Sequence, residues 1–193
     1  MSLAQWQDLV PGPGLLPRLS IFLSILFESS PILLNKLVPE LAKFITHSFN
    51  PPQSYMELVD ISLHQLGSWT LHERALFISG HPRIGEVWNF SALSKAEQAT
   101  KAMPPEVLKR LEILNIHYEC AFPGLRYVTF VNGRSCADIV PEMEHILGCP
   151  IDPTRPSAIT IHDVGDVEWL SELARAIHTV GLIAKSRVKA LDL

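Results

Sequence analysis

Apolar residues recur every three or four positions along most of the chain, which is the spacing that places side chains on one face of an α-helix. After Pro11-Gly-Pro-Gly14, this pattern predicts a helix from Leu15 that ends near Ser29, where Pro31 can open the next helix at its first turn. Asn50-Pro-Pro52 ends the second helix. The same spacing predicts further helices over residues 55–66, 70–78, 94–103, 105–118, 137–147 and 167–191.

One segment has a different pattern. Residues 126–131 are dense in β-branched and aromatic side chains, which predicts an extended conformation. Asn132-Gly133 follows, but the next residues have helical spacing, so we interpret this dipeptide as a strand-to-helix loop. The predicted fold is all-α: a single-domain helical bundle of about eight helices with one short extended segment. Residues 1–14 are predicted to form a loosely structured N-terminal arm, and residues 15–193 one helical domain.

Composition excludes several classes of partner. The formal net charge is -4, and the basic residues are scattered rather than grouped, so we expect no nucleic acid partner. The most apolar stretch, Leu19 to Phe27, is much shorter than the ~20 residues that span a bilayer, so we expect no membrane partner. Three cysteines without a C-x-x-C pair suit a reducing compartment. The expected location is cytoplasmic; the C-terminus is not S-K-L, although a peroxisomal location stays open.

His81 is the first candidate for chemistry. It follows Gly80, a residue typical of helix ends, and precedes Pro82, which disfavours the α region for the residue before it. An imidazole on such a stiff corner suits general acid or base catalysis, because it exchanges protons near neutral pH. The alternative is that His81 only ends a helix.

A second candidate segment begins at Ser94. Ser94-Lys-Ala-Glu97 fits the capping box, in which the serine and glutamate side chains satisfy backbone donors at a helix start. The adjacent Gln98 amide can bind a polar substrate, and a helix N-terminus favours anions. A capping role and a binding role are compatible here.

Arg187 is the third candidate, because it lies on the apolar stripe of the last predicted helix. A buried guanidinium needs a carboxylate, a ligand anion or a route to water. The alternative is that the side chain extends outward to solvent.

The motifs predict no metal and no bound nucleotide. The chain has no H-E-x-x-H motif, and Glu142-Met-Glu-His145 is a single E-x-x-H where a di-iron bundle has two. The glycines have neither the spacing nor the lysine of a phosphate-binding loop.

The order of several segments resembles that of the OHCU (2-oxo-4-hydroxy-4-carboxy-5-ureidoimidazoline) decarboxylase family. The similar segments are Phe27-Glu-Ser-Ser-Pro31, His81-Pro-Arg-Ile-Gly-Glu86, Ser94-Lys-Ala-Glu-Gln98, Leu114-Asn-Ile-His-Tyr118, Tyr127-Val-Thr-Phe-Val131 and Ile183-Ala-Lys-Ser-Arg187-Val188. The resemblance covers roughly residues 15 to 191.

The resemblance implies a carboxy-lyase of purine and urate catabolism that forms (S)-allantoin without a cofactor, acts on a small-molecule substrate and is plausible as a homodimer. It implies that His81 is the proton donor and that Glu97 and Arg187 act with it. The residues implied to line the substrate pocket are Pro82, Ser94, Lys95, Ala96, Gln98, Tyr127, Val128, Thr129, Phe130 and Val131.

Two departures from the family pattern keep other functions open. Ala121 stands where the family usually has lysine, and Phe122-Pro-Gly124 carries an inserted residue. One alternative is therefore a catalytically inactive scaffold or binding protein of the same fold. Another is a decarboxylase or hydrolase for a different small cyclic amide.

Overall fold

The computed structural model of the chain describes residues 12–86, 104–148 and 159–191. These residues form seven α-helices and one π-helical turn, so the all-α prediction is confirmed. The α-helices are α1 (Leu15–Phe27), α2 (Val38–His47), α3 (Tyr55–Leu66), α4 (Leu71–Ser79), α5 (Pro105–Ala121), α6 (Cys136–Ile146) and α7 (Val167–Ala190). The π-turn, Leu33–Leu37, directly precedes α2. The helix predicted over 94–103, and all but the end of the predicted N-terminal arm, lie outside the described residues.

The chain divides into two compact units, Met1–His81 with Ile177–Leu193, and Pro82–Ala176. The assignment of residues 15–193 to one domain stays a prediction. None of the described helices has both the length and the apolar composition needed to cross a bilayer.

The core of the first unit forms where α1 packs against the π-turn and α2. Leu19, Leu23 and Leu26 present one face of α1, and all three are buried. Leu33 and Leu37 are fully buried at the two ends of the π-turn, while Leu34 is 37% exposed. The buried apolar side chains therefore continue from the π-turn, which is wider than an α-helical turn, into α2.

The second unit is built around Trp169 and Tyr118, which are both fully buried. The Trp169 indole donates a hydrogen bond to the Pro123 carbonyl at 3.0 Å, and the Tyr118 hydroxyl donates to the Glu172 carboxylate. These bonds satisfy the polar ends of two large rings that otherwise bury apolar surface.

The segment predicted to be extended, 126–131, belongs to the second unit. It is neither helical nor paired in a sheet within the part of the chain that the structure describes. Within the loop predicted before the next helix, Asn132 and Gly133 form a turn with positive φ angles of 44° and 79°, and α6 begins three residues later.

Candidate active site

His81 ends the first segment of the first unit, just after α4. Its backbone N–H bonds to the Ile78 carbonyl at 3.1 Å, and its Nδ1 lies 3.1 Å from the Phe77 carbonyl oxygen. The Phe77 ring meets the imidazole edge-on at a centroid distance of 5.5 Å. The imidazole is thus held from two sides and is only 5% exposed.

Arg187 lies in the same unit, on the buried face of α7. Its Nη2 is 2.8 Å from Oε1 of Glu28, and both side chains are less than a tenth exposed. Its Nη1 donates to the carbonyls of Ile25 and Leu26 at 3.0 and 3.1 Å, in the last turn of α1. Of the two alternatives from the sequence, the structure therefore has the guanidinium buried against a carboxylate. A cation at these carbonyls also complements the C-terminal end of the helix.

Glu28 has an unusual backbone for a residue other than glycine. Its φ is 62° and its ψ is 147°. In this region a side chain with a Cβ crowds the backbone, which costs on the order of 1–3 kcal/mol. Such a conformation persists only where surrounding contacts fix it, and here the carboxylate is fixed by Arg187.

The surroundings keep the His81 ring neutral at physiological pH. Burial is the main cause, because it disfavours the charged form. The negative charge of Glu28 opposes this effect, while the positive charge of Arg187 reinforces it. The result is a pKa lowered from 6.5 to about 4. His81, Glu28 and Arg187 thus form one electrostatic group within the first unit.

The chain between α1 and the π-turn fits closely against the end of α4. The Ser30 hydroxyl accepts a hydrogen bond from the Leu33 N–H at 3.3 Å, and Pro31 follows at the start of the next helix. A Cβ added to Gly80 would lie only 2.7 Å from the Ser30 Cβ and 3.3 Å from the Phe77 carbonyl oxygen. Gly80 is therefore required for the close approach of two segments beside His81.

We expect Gly80→Ala to destabilise the protein by roughly 1–3 kcal/mol, because the new methyl group would press on a rigid neighbour rather than on a mobile side-chain end. Urea denaturation at neutral pH measures this change.

Gly181→Ala is the matched control. There the added Cβ would meet Leu63 Cδ1 at 2.6 Å, the far end of a flexible side chain. Alanine also favours a helix over glycine by about 1 kcal/mol, so the net change at position 181 should be small. Equal losses in the two variants would contradict a specific fit at Gly80.

Residues 127–131 belong to the second unit. Tyr127, Val128 and Thr129 are buried, whereas Phe130 and Val131 are partly exposed. The Tyr127 hydroxyl donates a hydrogen bond to Oε1 of Glu142 at 2.6 Å. Burial is the main cause that raises the pKa of the Tyr127 phenol, and the Glu142 carboxylate raises it further. Pro82, at the start of the same unit, is partly exposed.

The candidate residues Ser94, Lys95, Ala96, Glu97 and Gln98 lie outside the described residues. Their capping and binding roles stay predictions.

Within the described ranges, His162, Asp166 and Glu168 form the group of side chains that is suitable for a metal ion, with ligand atoms within 4.8 Å of one another. The oxygens of Asp166 already accept hydrogen bonds from the backbone N–H groups of Asp163 and Trp169, at 3.0 and 2.7 Å. These contacts explain Asp166 as a cap of α7.

Glu28 is the residue that the sequence analysis did not select. It lies within the segment Phe27-Glu-Ser-Ser-Pro31, and a buried guanidinium in α7 calls for a carboxylate. Together these two signals point to Glu28, although neither identifies it alone.

The described residues thus form an all-helical protein with a buried histidine and a buried arginine–glutamate pair, and they form no sheet. The profile of the OHCU decarboxylase family matches residues 19–189, and the chain belongs to that family. It is therefore a decarboxylase, a carboxy-lyase of purine and urate catabolism. Searches of curated proteins and of solved structures gave no match.

Proposed function

We propose that this decarboxylase converts 2-oxo-4-hydroxy-4-carboxy-5-ureidoimidazoline to (S)-allantoin and CO2, with His81 as the proton donor. The observation that carries the proposal is the buried His81 ring, which shares the first unit with the Glu28–Arg187 pair. A rigidly held imidazole delivers a proton to one face of a bound substrate. Protonation of one face gives one enantiomer.

The reaction itself needs little from the protein. The bond between C4 and the carboxylate carbon breaks, and its electron pair moves toward the imine-like C5 and its nitrogen. The C4 hydroxyl becomes the carbonyl of allantoin, and C5 receives a proton. The ring nitrogen that receives the electron pair takes up one further proton from solvent, because the carboxylate form of the substrate supplies none. Because the substrate holds the electron pair in its own ring, no pyridoxal or thiamine group is required.

The hydrogen bond to Phe77 assigns the tautomer of His81. A carbonyl oxygen only accepts, so Nδ1 carries the hydrogen of the neutral ring, and Nε2 is its acceptor atom. With a pKa of about 4, the ring reaches the reaction neutral. In the proposed mechanism, Nε2 therefore takes the proton of the C4 hydroxyl and then returns a proton to C5.

The other predicted site residues have binding roles in this proposal. Arg187, with its guanidinium plane fixed by α1, pairs with an anionic oxygen of the substrate. Glu97 and Gln98 bind the ureido or ring amides. Pro82, Ser94, Lys95, Ala96 and residues 127–131 line the pocket.

A cytoplasmic location and a homodimer also remain proposals.

We expect His81→Asn to reduce the rate of (S)-allantoin formation by about 10²–10⁴-fold, the usual contribution of a positioned acid–base group. The unstable substrate is generated in situ from urate, and circular dichroism follows the optically active product. The asparagine amide retains a donor for the Phe77 carbonyl, so loss of this backbone contact does not confound the result.

His72→Asn is the control, because His72 is a histidine on α4 that is not buried. It should keep the wild-type rate. If the wild type does not exceed the spontaneous racemic decay, the enzymatic proposal fails. An unchanged rate in His81→Asn would leave the activity in place and remove His81 as the proton donor.

The inactive-scaffold alternative rests on Ala121 and the adjacent insertion. In the structure, the Ala121 carbonyl accepts a hydrogen bond from the His162 N–H at 2.9 Å, and a turn after Phe122 is closed by the Leu125 N–H at 3.0 Å. The second unit therefore accommodates both departures. Thermal stabilisation by allantoin separates a ligand-binding protein from a scaffold, and a panel of cyclic amides separates this substrate from related ones.

A further inference from the structure

Residues 127–131 have no regular secondary structure. Within the described part of the chain, this segment has neither helical nor sheet hydrogen bonds. Backbone carbonyls in such a segment still require donors when they are buried. The Val131 carbonyl accepts the backbone N–H of Arg134 at 2.9 Å, which closes the turn after the segment. Two arginine side chains from outside the segment supply further donors.

Each arginine contacts a different part of the segment. Arg175 donates from Nη1 to the Val128 carbonyl at 3.0 Å. Arg134 donates from Nη2 to the Phe130 carbonyl at 2.6 Å and from Nε to the Val131 carbonyl at 3.2 Å. Three carbonyls in the segment are therefore held by guanidinium groups.

Glu142, on α6, holds the side chains of the same segment. Its Oε1 accepts from the Tyr127 hydroxyl at 2.6 Å and from the Thr129 hydroxyl at 2.9 Å. Its Oε2 pairs with Nη1 of Arg134. One carboxylate thus connects two alternate residues of the segment with the arginine that holds its backbone.

Glu142 is ionised in this arrangement. Its partial burial opposes ionisation, but the hydrogen bonds from Tyr127, Arg134 and Thr129 outweigh that effect and lower its pKa. A charged acceptor makes stronger hydrogen bonds than a neutral one, so all three partners depend on the ionised state.

We propose that Glu142 is a positioning residue for the decarboxylation, which fixes residues 127–131 in the orientation that substrate binding requires. This inference rests on the proposed function, since it takes that segment as part of the substrate pocket. Glu142 acts through Tyr127, Thr129 and Arg134 rather than on the substrate itself.

The experiment compares Glu142→Gln with Glu144→Gln. Glu144 lies on the same helix and pairs with Arg110, outside the segment. Each variant therefore removes one carboxylate that forms an ion pair with an arginine of the second unit. The amide introduced by Glu142→Gln would place a donor group against Arg134 or against the two hydroxyls, and the segment would lose part of its support.

For Glu142→Gln we expect the KM for the in situ substrate to rise about tenfold or more, which is the scale of one lost charge-assisted hydrogen bond, while kcat changes less. Glu144→Gln should keep the wild-type KM. Thermal melting of both proteins provides the comparison, because a purely structural role would lower the Tm without separating the two KM values.

Arg134→Gln provides a second test, because the Arg134 side chain is 40% exposed and its loss is less disruptive to folding than a change in the core. It should also raise the KM. Wild-type KM values in both Glu142→Gln and Arg134→Gln would overturn the positioning role and leave the proposed function standing. A wild type that forms no excess of (S)-allantoin would instead overturn the proposed function, and the inference with it.

Discussion

Glu28→Met should destabilise the protein by about 3–5 kcal/mol, and so should Arg187→Met, because each substitution removes one charge of a buried ion pair. The two side chains are 8% and 4% exposed, so water compensates only poorly for the lost partner. Arg187→Met also removes the donors to the carbonyls of Ile25 and Leu26. Methionine is unbranched and flexible, so it fills the space of either residue with little added strain.

A double variant with both Glu28→Met and Arg187→Met measures the interaction between the two side chains separately from the contribution of each side chain alone. Replacing both members of a buried ion pair by apolar residues is often close to neutral, so the double variant should be far less destabilised than the sum of the single variants. Urea denaturation of the four proteins at neutral pH gives the coupling free energy.

An exposed pair in the same unit provides the comparison. Lys185 and Asp60 lie 2.6 Å apart but are 39% and 58% exposed. Removing that pair should change stability by at most about 1 kcal/mol. If Glu28→Met costs no more than Asp60→Asn, the burial of the Glu28–Arg187 pair has no energetic consequence.

Acidification should destabilise the protein through His81. Because burial lowers the pKa of the folded imidazole to about 4, the unfolded chain binds a proton between pH 6.5 and about 4 while the folded chain does not. Stability is therefore fully present above pH 6.5 and is lost as the pH falls through this window. The difference between 6.5 and about 4 corresponds to roughly 3 kcal/mol at 1.36 kcal/mol for each pH unit.

Denaturation of the wild type and of His81→Asn at pH 7, 6 and 5 measures this contribution. Asparagine does not titrate, so its variant should lose less stability than the wild type over the same interval. Carboxylates that titrate at the lower end affect both proteins and cancel in the difference. Parallel curves for the two proteins would mean that the folded pKa of His81 is near its ordinary value.

Most helices were predictable because their evidence is local. The predicted helix over 55–66 has the observed bounds, and the start at Leu15 is also correct. Within the helix predicted after Pro31, Leu37 and Leu41 are buried, whereas Leu34 and Phe44, at positions that regular helical spacing would place near the same face, are each 37% exposed. The π-turn causes this difference, since it shifts the apolar face relative to the regular helical spacing.

The site was predictable in part. Periodicity placed Arg187 on the buried face of the last helix, and a buried guanidinium needs a partner such as a carboxylate. The contact with Glu28, however, joins residues that lie near opposite ends of the chain. No local pattern encodes such a pair. The same holds for Glu142, which the sequence analysis considered only as part of a single E-x-x-H motif. Its contacts with Tyr127 and Thr129 depend on how α6 folds back on the segment before it.

The first unit joins the N-terminal helices with the last part of α7, and this arrangement has a consequence for biosynthesis. A ribosome makes Glu28 long before it makes Arg187. During translation, the carbonyls at the end of α1 and the Glu28 carboxylate cannot pair with the Arg187 guanidinium until the last part of α7 has been synthesised. The buried group around His81 therefore assembles late in translation, after nearly all of the described chain has been synthesised.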